Sequence, residues 1–426
     1  MDLLNNENIS NVYNKNNKKS IRYKNRFDIF LVICILVLIV SPLLFNVFVK
    51  MPAAVISVGY PEIFISPRFS EFFGSDFADN LINEFKKLNP DIRVDTAGFV
   101  NDQYKAPDIL FFDEGDSGEL LSSGALMNLE SYNSNYQYLV PLVTFMDMLY
   151  YNTALLSAAG FDRPPKTREE FLLFARTVSN GNNEVLEGAA GTAISLREDD
   201  KQAVSRDIFS WIWASGNNFL QDDSSPVFNT RAIIRDISFL GSLYREGALK
   251  KESLNLTGER LLYDFADGKI ALLIASSGAI PALREKMGDE TFGITTIPGS
   301  GLGGKYSFGI SGIYAAISAD CENSEAANVF MEFLIGNIPL MCSSLKAVPG
   351  DITNIFTGDY MQDDPFYSKA RDIFESAQIV RSFTAIPNGE EYKKAVREEM
   401  QFFFETNRTP EQTAAAIQRR WEEINP

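Results

Sequence analysis

Residues 141–171, PLVTFMDMLYYNTALLSAAGFDRPPKTREEF, leave the backbone few choices. Leu142 to Tyr151 is apolar and extended in character, and Asn152 breaks it. A short helical segment, Thr153 to Ala159, ends at Gly160, where a left-handed helix terminus wants a glycine. Pro164 and Pro165 forbid helix. Thr167, with Glu170 three residues on, forms a capping-box pattern ahead of Phe171, Leu172, Leu173 and Phe174. The stretch predicts strand, short helix, proline turn and capped helix, in that order.

The chain around it has 426 residues, too many for one ordinary core and a natural size for two lobes. Its net charge is −17, and residues 1–50 hold only three acids against seven bases, so the remainder is more acidic still. Such a surface disfavours nucleic acid as a partner. The sequence has no histidine, which excludes His-based triads and His-ligated metals together.

Residues 1–28 read as a disordered cytoplasmic tail, rich in Asn and Lys. Lys15, Lys18, Lys19, Arg22, Lys24 and Arg26 then precede Ile29 to Val49, a run of 21 residues without a charge. At about 1.5 Å per residue that run spans a bilayer, and the basic flank keeps the amino terminus inside. A cleaved signal is the rival reading, but its apolar region is normally about 7–15 residues. The expectation is a single-pass anchor in the cell membrane with the rest of the chain extracytoplasmic. Cys321 and Cys342 could pair, yet a helix predicted over Ser324 to Ile335 holds them apart, so two separate small buried residues are expected.

Several segments together resemble the extracellular solute-binding proteins of ABC importers, the maltose-binding-protein type. They are Pro141, Tyr151-Asn152, Leu155, Ala159-Gly160, Pro165-Lys166-Thr167 and Glu170-Phe171; EFKKLNPDIRV and PDILFFD; FADGKIALLI; and the Gly-rich Gly309 to Ser318. The resemblance covers residues 54–424. It implies an α/β, two-lobed periplasmic-binding-protein fold (type II) with three inter-lobe crossings, near 141–145, 291–295 and 345–350, preceded by one transmembrane helix. One lobe would comprise 53–143 with 294–346, the other 144–293 with 347–426. Only a short link joins the second strand to Pro107, where family members carry a helix, so the first lobe is trimmed.

The resemblance also implies a function: a non-enzymatic binder, without cofactor or metal, that delivers a small solute to ABC permease subunits. No Asp/Glu pair carries a glycosidase signature. The ligand-binding residues it points to are Phe112, Asp113 and Glu114 at the end of a first-lobe strand, where ligands sit in open α/β sheets. Phe145, Asp147 and Tyr150 would come from the first crossing, and Ser277, Gly278 and Tyr392 from the second lobe. The chain departs from sugar binders in two places: Gly278 and Lys393 stand where stacking tryptophans occur. A saccharide remains the first expectation. Acidic and aromatic residues also suit a polyamine or other cationic solute, and a membrane-tethered sensor without a transport role is a further alternative.

Overall fold

A computed structural model describes residues 54–59, 75–96, 107–133, 137–219, 225–301, 306–346, 348–349, 363–380 and 388–424. The apolar run Ile29 to Val49 lies outside the described residues. Among the described ones, no helix is long and apolar enough to cross a membrane.

The chain divides into two compact units, Met1–Val55 with Lys86–Val94, and Ile56–Phe85 with Asp95–Pro426. In the first, the Ala54 amide donates to the Asp91 carbonyl at 3.3 Å and the Ile92 amide to Asn89 at 3.0 Å, closing the turn after Pro90. Everything that follows concerns the second unit.

The strands are β1 (Ala54–Gly59), β2 (Ile92–Thr96), β3 (Ile109–Asp113), β4 (Val140–Asn152), β5 (Ala190–Thr192), β6 (Ile270–Ser276), β7 (Phe292–Thr295), β8 (Ser307–Ile317), β9 (Val348–Pro349) and β10 (Gln378–Val380). Six of them join in the order β1-β3-β8-β4-β6-β5. β1 runs parallel to β3 and β5 parallel to β6, while β3–β8, β8–β4 and β4–β6 are antiparallel.

β4 is the hub. Val140 to Met146 pair with β8, and Val143 and Thr144 also pair with β9 on the other edge. Asp147 to Tyr151 pair with β6, and Leu149 to Asn152 with β7. Both of its faces are covered, which explains why it reads as a near-continuous apolar run. β7 stays on the β6 side of this junction. Passage back to the β3 side comes later than 291–295, within β8, whose Ser307 to Gly309 pair with β10 and whose Ile313 to Ile317 pair with β3.

The side chains that follow β4 fold as their chemistry dictates. Asn152 Oδ1 accepts from the Leu155 amide at 3.0 Å and starts the helix Thr153–Ala158. Gly160 takes φ +87°, which a side chain would resist. Thr167 Oγ1 accepts from the Glu170 amide at 3.2 Å at the head of Arg168–Ser179. The return half of the expected capping box is displaced by one residue. Glu170 receives the Lys166 amide at 2.8 Å and a fork from Arg163, because a guanidinium competes for the same carboxylate. The helix after β3 begins at Glu114, earlier than Ser117, so Asp116 lies in its first turn rather than at its cap.

Two cores sandwich the β4–β6 sheet. Leu149, Leu272 and Ile274 face a cluster holding Trp211, Trp213, Phe219, Phe228 and Trp421. Met148, Tyr150, Leu273 and Ala275 face the opposite cluster, with Phe265, Phe292, Phe308 and Phe366. Each fully buried large apolar side chain contributes about 1.5–3 kcal/mol. On the β3 side a smaller cluster joins Leu110, Phe112, Leu126 and Ala316. Cys321 and Cys342 do not form a disulfide; Cys342 is buried, which pushes its thiol up to about 12.

Candidate functional site

The site builds from the point where β4 changes partners. Met146 is its last residue paired with β8 and Asp147 its first paired with β6. The Met146 amide donates to Ser277 Oγ at 3.2 Å, so the turn after β6 grips β4 at that joint. Ser276 caps this turn, its Oγ accepting from the Gly278 amide at 3.2 Å. Gly278 is buried within the turn.

Period-two alternation then decides what each β4 side chain meets. Phe145 is 6% exposed, while Asp147 is half-buried. Tyr150 belongs to the face opposite Leu149 and is fully buried. Its hydroxyl donates to the Ser276 carbonyl at 2.8 Å, and its ring stacks on Phe292 with centroids 6.2 Å apart. Burial raises the Tyr150 phenol well above its ordinary value, with Tyr367 and Asp147 adding to the shift. Tyr306, just before β8, was not anticipated from the sequence. It is half-buried, its hydroxyl accepts from the Ile297 amide at 3.3 Å, and burial and then the Asp147 charge raise it. Its only signal in the sequence is its place ahead of the Gly-rich strand.

The structure therefore brings together Phe145, Asp147, Tyr150, Ser277 and Gly278. It places the other expected residues elsewhere. Phe112 is fully buried at the end of β3, stacked on Tyr314 with centroids 6.0 Å apart. Asp113 closes β3 and Glu114 opens the next helix; only their backbone is described. Tyr392 is 2% exposed in the helix Gly389–Glu405 and packs edge-on against Trp421. Lys393 is also buried, its Nζ donating to the Lys201 carbonyl at 3.1 Å. A separate depression of about 420 Å³, lined by Ala158, Arg176, Thr177, Asn180 and Asn183 among others, lies at the far ends of two helices and shares no residue with the β4 joint.

A carboxylate, serine hydroxyls and aromatic faces at a strand joint can hold a polar solute by hydrogen bonds and ring contacts. Relatives share this fold. The GacH receptor of Streptomyces glaucescens, solved unliganded and with acarbose, is 16% identical; the match covers 87% of this chain and 98% of that one, with a TM-score of 0.68. Maltose-bound MalE3 of T. maritima is also 16% identical, covering 87% and 100%, with a TM-score of 0.68. The architecture is thus the mixed α/β, two-lobed periplasmic-binding-protein fold. In sequence, a probable ABC transporter-binding protein of Deinococcus radiodurans is 22% identical over 244 residues, 56% of this chain and 57% of that protein. The chain spans about half the length of the curated relatives it matches. The family profile of the bacterial extracellular solute-binding proteins matches residues 74–338. With that profile running through β3, the β4 joint, β6 and most of the helices around them, the chain belongs to the bacterial extracellular solute-binding proteins.

Proposed function

We propose that this chain is the extracytoplasmic solute-binding component of an ABC importer. In this reading it takes a carbohydrate between its two lobes, does no chemistry on it, and hands it to permease subunits. The observation that carries the reading is the joint on β4. One strand is hydrogen-bonded into both sheets, and Phe145, Asp147, Ser277 and Gly278 gather where it passes between them. Family membership and the sugars bound by the Streptomyces and T. maritima neighbours support the solute class. The lobes divide at the boundaries expected from the sequence, Phe112, Asp113, Glu114 and Tyr392 complete the site when the lobes close, and Ile29 to Val49 tethers the chain to the membrane. Closure follows from affinity alone: a solute favours the closed form only if it bonds to both sides.

A cationic solute is the second reading, favoured by the half-buried Asp147 carboxylate acting on Tyr306. A thermal-shift screen of maltodextrins and monosaccharides against putrescine and spermidine tests both. A ligand at about a hundred times its dissociation constant stabilises by about 2.7 kcal/mol. A sugar that raises the melting temperature bears out the first reading. A shift from polyamines alone, lost at high salt, overturns it.

A further inference from the structure

The connector between β7 and β8 is held to the β6 side at successive residues. The Ile297 amide donates to the Tyr306 hydroxyl. Arg168 Nε donates to the Pro298 carbonyl at 3.3 Å. A Cβ on Gly299 would overlap the Ala214 carbonyl, so the two backbones are in close approach. The Ser300 amide donates to Ser215 Oγ at 3.2 Å. Arg168 organises all of this. It is 5% exposed, and besides Pro298 it donates to Asp236 Oδ1 at 2.7 Å, the Trp211 carbonyl at 2.6 Å and Ser215 Oγ at 2.7 Å. Its guanidinium also lies over the rings of Phe239 and Trp211.

The strand that follows is held on the same side. Ser307 to Gly309 pair with β10, and the Gly309 backbone lies against Trp213, where a Cβ would not fit. From Ile313 onward, β8 pairs with β3. Between these two holds, Ile310, Ser311 and Gly312 pair with Met146, Phe145 and Thr144 of β4.

We propose that Arg168 is a positioning residue for movement between the lobes. It makes Ile297 to Ser300 part of the β6-side body and so confines bending to the ribbon Thr144–Met146 with Ile310–Gly312. The inference rests on the solute-binding reading only in supposing that the lobes move. Arginine suits the task because its planar fork reaches two carbonyls, a hydroxyl and a carboxylate at once, which a lysine ammonium cannot.

Amide hydrogen exchange and inter-lobe distances on the full chain, without any solute, test it. Labels go on Ser123→Cys and Arg235→Cys, with Cys34→Ala, Cys321→Ala and Cys342→Ala. In Arg168→Met paired with Asp236→Asn, which leaves no unpaired buried charge, peptides over residues 296–301 should exchange about tenfold faster or more. The distance distribution should broaden, while peptides over 231–245 and 270–276 keep their protection. Arg168→Lys should restore neither fully. Ser215→Ala, the milder change, should speed exchange at Ser300 by up to about tenfold and broaden the distances less. A connector that stays protected overturns the proposal. So does a connector that loosens while the distances stay as narrow as before, which is what a merely structural role would give. A screen in which no sugar binds would count against the carbohydrate reading and leave this one standing.

Discussion

Two arginines are buried on the β6 side, and they are buried differently. Arg206 lies between two carboxylates, with Nη2 2.8 Å from Asp207 and 3.0 Å from Asp200. Burial pulls its guanidinium down most strongly, but Asp207 and Asp200 together outweigh burial and leave it raised. The backbone makes room for it: Gly258 donates its amide to Asp200, and a Cβ there would overlap the guanidinium. Arg168 has one carboxylate, two carbonyls, a hydroxyl and two aromatic faces, and burial wins, leaving it lowered. Burial likewise pushes the Asp236 carboxyl up. One arginine is neutralised by charge and closes a network around Asp200, Ser195 and Gly258. The other is solvated by dipoles and ties together segments far apart in the chain. A buried cation held by dipoles can bridge elements; one held by carboxylates mostly satisfies its own neighbourhood.

The largest effect expected from breaking this pairing is in Arg206→Met, which strands two buried carboxylates. Removing one side of a buried pair costs about 3–5 kcal/mol, and here the upper end is expected in urea unfolding; a loss below that of Arg168→Met would reverse the comparison. Arg168→Met should fall at about 3 kcal/mol, the lower end of that range, because Ser215 and Asn217 still donate to Asp236. Adding Asp236→Asn should recover most of that loss.

The smallest effect belongs to the exposed counterpart, Arg163 and Glu170. The Arg163 side chain and then the Lys166 amide hold the Glu170 carboxyl down to about 2, from an ordinary 4.5. A folded value below the unfolded one means the bond stabilises fully above pH 4.5 and is lost as pH falls through about 2. The melting-temperature gap between the parent chain and Glu170→Gln should therefore shrink over that window. A gap that is constant with pH would show that the pair adds nothing, as many exposed pairs do.

Local chemistry was legible in the sequence. Asn152, Gly160, the two prolines and Thr167 mark β4 and its helices because each acts on backbone within a few residues. The closing helices, Gly389–Glu405 and Pro410–Ile424, announce themselves by apolar period and by Pro410. The site was legible only in part. Asp147 and Tyr150 look equivalent in the sequence, yet alternation sends them to different faces, and which face is core depends on strands more than a hundred residues away. Tyr392 resembles a ligand-facing aromatic until Trp421 covers it. Arg168, in the first turn of a helix where the dipole disfavours a cation, reads as a surface charge. Only Asp236, 68 positions on, shows it to be core.

Trp421 has a consequence in time as well as in space. It is fully buried, packs on Phe228 and Phe219, and donates its indole N–H to the Tyr392 carbonyl at 3.0 Å. A chain made or threaded from its amino end delivers this residue almost last, long after the aromatic groups that await it. Until then the largest core has a tryptophan-sized gap, with Phe219 and Phe228 open to water and to other chains. Stable folding of the β6 side thus waits for the end of the chain, and a nascent chain held short of that point is the form most exposed to chaperones and proteases.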